Sequence, residues 1–188
     1  MISIRIFFAL FIVSLILTGQ SNAQDLQKYE ELLNESHMQF SIPPDFMLTP
    51  VIKNGDVMYD FAIKSNTQKF EIRYRIWPIE KGSAKDKMNN SMHNLMLTTM
   101  ALNISNGQII EPQQYPKESV KEEFGADAGS TGIVDTHSEF GKDYKACMIS
   151  VIHKENVADA YIFFLFNDRS DILKALSTSK IFHALKFK

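Results

Sequence analysis

Residues 56–77 read DVMYDFAIKSNTQKFEIRYRIW. Apolar and polar side chains alternate on either side of a polar middle, the period-two signature of two paired strands. Val57, Tyr59, Phe61 and Ile63 form one apolar row, and Phe70, Ile72, Tyr74 and Ile76 form the other. A turn centred on Asn66-Thr67 sets Phe61 opposite Ile72 and Tyr59 opposite Tyr74, so both rows fall on one side. The same register sets Asp60 against Arg73 on the outer side, a favourable cross-strand charge pair. An antiparallel hairpin with a single core face is therefore expected here.

The pattern continues outward in both directions. Upstream, DLQKYEELLNES (25–36) spaces Leu26, Tyr29, Leu32 and Leu33 as one face of a helix. MQFSIPPDF (38–46) alternates as a strand until two prolines stop it. Downstream, PKESVKEEF (116–124) reads as a short helix with Pro116 at its start. The glycine-rich GADAGSTG (125–132) reads as a turn region with positive-φ positions. STGIVDTHSEF (130–140), YKACMISVIHK (144–154) and DAYIFFLFND (159–168) read as strands. The last is apolar on both faces, as a covered central strand should be. RSDILKALSTS (169–179) closes as a helix capped by Asp168 or Ser170. Two blocks of strands separated by helices imply an α+β domain, with a single antiparallel sheet of about six strands flanked by helices that gather on one face.

Residues 1–23 read as an export leader: Arg5, an apolar run from Ile6 to Leu17, then Ser21-Asn22-Ala23. The run is shorter than the roughly 20 apolar residues that a bilayer span needs. Residues 24–188 then form one domain, with a leading helix over 24–36. Cys147 stands alone, so no intrachain disulfide can form, which fits a bacterial periplasmic or secreted protein. A formal charge of −2 gives no reason to expect nucleic acid as a partner.

Three patterns invite a chemical reading. In MNNSMHNLMLTTM (88–100), Met88, Met92, Met96 and Met100 recur every fourth residue. Thioethers select Cu(I), but the four fan across roughly 120° of a helix together with Leu95, Thr99 and Leu102, which is the face a helix presses on a sheet. Asp135, His137 and Glu139 share one side of an extended strand, and could hold a metal or simply be a solvated edge. Arg73, Arg75 and Trp77 share the side of their strand opposite the core row, a composition found at binding hot spots. Cys147 shares a strand face with Ile149 and Val151 and reads as a buried hydrophobe. No H-E-x-x-H, G-x-S-x-G or P-loop motif occurs, and no cofactor is expected.

MQFSIPPDF and ILKALSTSKIF (172–182) resemble the opening strand and closing helix of the Mog1/PsbP-like group. That resemblance implies an antiparallel sheet between helices, and roles in binding or assembly more often than catalysis. The function expected is an exported, non-catalytic binding module with Arg73, Arg75 and Trp77 at its contact face and an unidentified partner, which could be a protein. The alternative is a metal-handling protein that uses the methionine helix or the Asp135/His137/Glu139 row. A hydrolase would need a cleft where polar titratable groups converge.

Overall fold

A computed structural model describes residues 27–79, 89–137, 139–177 and 181–188. The leader and Met88 lie outside these residues. The chain runs α1 (27–35), β1 (Met38–Phe40), β2 (Phe46–Thr49), β3 (Phe61–Ser65), β4 (Glu71–Pro78) and α2 (Asn89–Ser105). It continues through β5 (Gln113–Gln114), α3 (Lys117–Phe124), β6 (Ala128–Asp135), a 3-10 turn (Glu139–Gly141), β7 (Ala146–Lys154), β8 (Ala158–Phe166), α4 (Arg169–Ser177) and β9 (Leu185–Phe187).

Among the described residues, seven strands form one antiparallel sheet in the order β2-β3-β4-β8-β7-β6-β5, and β1 pairs with β9 in a separate two-stranded ribbon. The fold is α+β, as the strand and helix blocks imply, with one more strand in the main sheet than expected. The fourth and middle strand is β8, whose nine residues are all buried, as its two-sided apolar pattern demands. Fully burying a Phe, Leu or Ile side chain contributes about 1.5–3 kcal/mol, so this strand is the axis of the core.

Helices lie on both faces of the sheet, not on one. Phe61, Ile63, Ile72, Tyr74, Ile162 and Phe164 face a layer that includes Tyr29 of α1, Phe124 of α3 and Ile172 of α4. Ala62, Cys147, Ile149, Tyr161, Phe163 and Leu165 face Leu97, Met100, Ala101 and Ile104 of α2, together with Val57, Tyr59 and Phe140. Both sides of β7 and β8 carry apolar rows, so two layers are needed to cover them.

The hairpin forms with a register two residues from the expected one: Phe61 pairs with Tyr74 and Ile63 with Ile72. The loop is longer than a two-residue turn. Ser65 N–H donates to Phe70 O, and Ser65 Oγ accepts from the N–H groups of Thr67 and Gln68. A slip of two keeps each side chain on its face, so the alternation could not reveal it. It does move the charge pair, because Asp60 now meets Arg75 at 2.8 Å. Val57 and Tyr59 also leave the Phe61–Ile63 row and join the opposite face. The chain bends at Asp60, whose N–H donates to Tyr74 O and whose carboxylate accepts Ile76 N–H at 2.7 Å.

The segment 125–132 is a turn only at its start. Gly125 (φ 62°) caps α3 in the left-handed region, while Ala128–Gly132 belong to β6. Gly132 serves close approach, since a Cβ there would stand 2.4 Å from Ile110 Cδ1. Asp168 caps α4, with its carboxylate accepting Ser170 N–H at 2.8 Å.

Candidate docking surface

The methionine helix is pressed on the sheet, but the face it buries is rotated by roughly 100° from the ladder. His93, Leu97, Met100, Ala101 and Ile104 point inward. Met92 and Met96 are half-buried at the flank, and Leu95 and Thr99 are exposed. Small Ala101 lets the helix approach the sheet, and the flexible methionine stems fill the margin. Asp135, His137 and Glu139 do not share a strand face, because β6 ends at Asp135 and Glu139 opens the 3-10 turn. All three are exposed. Among the described residues, no three His, Cys, Asp or Glu side chains gather closely enough to hold a metal ion. Cys147 is buried, and desolvation pushes its thiol far above the usual range, which makes it inert.

The three residues singled out on β4 have different surroundings. Arg73 is 6 % exposed. Its Nε meets Glu71 Oε1 at 2.6 Å, its Nη1 donates to Phe140 O, and its guanidinium lies over the rings of Tyr59 and Phe140. Tyr144 OH donates to the other Glu71 oxygen at 3.2 Å. Arg75 and Trp77 are half-buried, with the Arg75 guanidinium 5.8 Å from the Trp77 ring centre. Only these two of the three reach solvent to any extent.

Sequence reasoning missed the neighbouring loop, residues 50–60, whose last part, 56–60, it assigned to a strand. Asn54 organises it: Oδ1 accepts Asp56 N–H at 3.0 Å and Val57 N–H at 2.9 Å, and Nδ2 donates to the carbonyls of Ile52 and Val57. Ile52 N–H donates to Tyr59 OH at 2.7 Å, and Asp56 Oδ2 accepts Phe140 N–H at 2.9 Å. Burial pushes the Tyr59 phenol up, so it stays neutral as that acceptor. Several of the loop's polar groups are thus engaged within the protein, Val57 and Tyr59 face inward, and Ile52 and Met58 face out. Ile52 is 64 % exposed and Met58 71 %, and Met47 on the neighbouring edge strand 57 %. Val51 is exposed as well, whereas Leu48, next to Met47 on β2, projects to the other side of the sheet. The signal for this in the sequence is Asn54-Gly55-Asp56, a turn tripeptide ahead of the alternating row.

Strand β2, the sheet edge beside this loop, offers little main-chain pairing. Phe46 N–H is already given to Pro43 O, and Pro50 follows the strand without an N–H.

Asp60 joins the loop to Arg75. Desolvation raises its carboxyl, and this outweighs the lowering by Ile76 N–H and Arg75. A raised carboxyl favours the protonated folded form, so the wild type loses stability as pH rises through the folded value and regains it on acidification. Asp60→Asn is expected to be at least as stable as wild type at pH 7, with the difference closing below roughly pH 4. Urea midpoints at both pH values check this. A variant much weaker at neutral pH would show that the ion pair outweighs desolvation.

An α+β module with a layered antiparallel sheet is the class these features define. Its fold is similar to that of cyanobacterial PsbP (CyanoP) from Synechocystis sp. PCC 6803, known from a solution structure, at a TM-score of 0.50 and 12% identity, covering 81% of this chain and 88% of that one. This supports the PsbP-like resemblance at the level of fold. No family model and no curated protein sequence matches the chain.

Proposed function

We infer that the protein is an exported, non-catalytic module that docks onto a protein partner through the 47–58 surface, with Arg75 and Trp77 at its margin. The observation that carries this reading is the loop in which several polar groups are engaged internally while Ile52 and Met58 face solvent. Such a loop has little conformational freedom left to lose on binding, and Met adapts to irregular partners. Arg73 serves this surface from beneath, by holding Tyr59. Lys64 sits opposite Met47 in the sheet and Lys53 follows Ile52, so a partner patch that is apolar and flanked by carboxylates fits best. Export rests on the leader-like residues 1–23.

A cavity of about 370 Å³ does gather His93, Lys117, Asp127, His153 and Glu155, the kind of cleft a hydrolase requires. Its described lining contains no Ser, Thr or Cys, and its one hydroxyl, that of Tyr115, is pushed up by burial, so no activated hydroxyl or thiol nucleophile is evident there. This favours the binding reading.

The double variant Ile52→Asp/Met58→Asp tests it. Both positions are exposed, so stability should stay within about 0.5 kcal/mol of wild type. Capture of a defined partner from the native exported fraction should be lost, with an identified partner confirmed by titration of the purified pair. Undiminished binding by the variant sinks the assignment. Concentration-dependent dimerisation or flotation with anionic vesicles, lost in the variant, would replace the protein partner with a second copy or a lipid surface.

A further inference from the structure

The described residues include seven methionines, and their environments differ sharply. Met38, Met100 and Met148 are buried, and Met92 and Met96 are half-buried on the flank of α2. Of the seven, only Met47 and Met58 are exposed, and both belong to the 47–58 surface. Met58 stands between Val57 and Tyr59, which face inward, so its thioether is carried on a segment anchored on either side. Met47 stands opposite Lys64 on the edge strand β2. A methionine thioether is an apolar group that an oxidant converts, reversibly, into a strongly polar one.

We propose that Met58 and Met47 form a peroxide-sensitive modification site that turns the docking surface from apolar to polar and so releases its partner. Release rests on the docking reading given above, whereas the modification itself does not. The co-reactant is a hydroperoxide, in the simplest case hydrogen peroxide. A sulfur lone pair attacks one peroxide oxygen, and the S–O bond forms as the O–O bond breaks. The departing hydroxide takes the proton from the transferred oxygen and leaves as water. Sulfur loses two electrons, and the peroxide gains them. The sulfoxide oxygen is a strong acceptor, and burying it against an apolar partner patch leaves it without a donor, which weakens binding. The way back is a thiol-dependent reductase, which removes the oxygen as water while two thiols become a disulfide.

Access selects these two positions, because peroxide must reach the sulfur and the interior thioethers are enclosed. Cys147, the single cysteine, is buried and does not compete for the oxidant. The shape of the loop does not depend on the Met58 side chain. It is held by Asn54 Oδ1 on the N–H groups of Asp56 and Val57, by Tyr59 OH on Ile52 N–H, and by Asp56 on Phe140 N–H. Oxidation therefore changes what the surface offers and leaves its form in place.

Peptide mass mapping after graded hydrogen peroxide treatment of the folded protein tests the site. Met58 and Met47 should gain one oxygen first, Met92 and Met96 later, and Met38, Met100 and Met148 last. Amide exchange over 50–60 should be unchanged, and retention on a hydrophobic-interaction column should fall. Binding in the purified pair isolated through the exported fraction should weaken by roughly tenfold or more. It should return after treatment with methionine sulfoxide reductases for both epimers. Met47→Leu/Met58→Leu, whatever its own affinity, should bind equally before and after peroxide. Oxidation of Met92 or Met96 ahead of Met58, or a loop that loosens on oxidation, overturns the site as described. Undiminished binding by the oxidised wild type, where Ile52→Asp/Met58→Asp has lost it, overturns the switch alone. Undiminished binding by that aspartate variant removes the docking surface and the switch together.

Discussion

Arg73→Ala is expected to cost about 3–5 kcal/mol of folding stability, read as a large drop in the urea midpoint with little change in slope. The charge itself is not what makes the residue valuable. Removing the guanidinium leaves the Glu71 carboxylate enclosed with, among the described residues, Tyr144 OH beside it, frees the carbonyl of Phe140, and strips the cation from over the rings of Tyr59 and Phe140. An unpaired buried charge is the expensive outcome, whereas an apolar pair of similar volume is tolerated. Arg73→Met combined with Glu71→Gln should therefore recover most of the loss. If the double variant is as weak as Arg73→Ala, the contribution lies in ring contacts and the Phe140 carbonyl and not in the ion pair. The loss also loosens Tyr59, the acceptor for Ile52 N–H, so the 50–60 loop should show faster amide exchange in Arg73→Ala.

This arrangement explains which parts of the molecule could be read in advance. Alternation and helical spacing report local periodicity, and they located α1, β4, α3, β7, β8 and α4 because each of those elements buries a face set by its own residues. The two-residue slip in the hairpin left the alternation intact and was decided by Ser65 Oγ, a side chain that gives no periodic signal. Tyr59 had the period of the Phe61 row, yet the bend at Asp60 turned it to the opposite layer, and that bend depends on Arg75 and Ile76 on the next strand. Likewise β9 exists because Leu185–Phe187 meet Met38–Phe40, a pairing across almost the whole chain. Of the three residues singled out on β4, Arg75 and Trp77 are half-buried. Arg73 has the same parity but lies under the 3-10 turn, and no local pattern announces what a distant turn will cover. The stacking of His93 of α2 on His153 of β7 is of the same kind, built from a helix position and a strand position 60 residues apart in number.

Phe164→Ala should be nearly as damaging as Arg73→Ala, at about 3–5 kcal/mol, because a ring fully buried on the central strand leaves a cavity that its neighbours cannot close. Its ring packs near Phe70 and Phe182, on the layer of α1, α3 and α4. Phe163, the next residue, faces the other layer and meets the ring of Phe140 at 5.1 Å, above which Arg73 lies. The two phenylalanines are adjacent in sequence yet separated by the sheet, so they belong to different energetic neighbourhoods. Milder changes make this measurable within the protein's stability. Phe163→Leu combined with Arg73→Lys should depart from additivity by more than about 0.5 kcal/mol, since both act on the Phe140 corner. Phe164→Leu combined with Arg73→Lys should add within that margin. Coupling of equal size in both cycles would mean that the sheet transmits strain between its faces, and the two layers could then no longer be treated as separate supports for the docking loop and the leading helix.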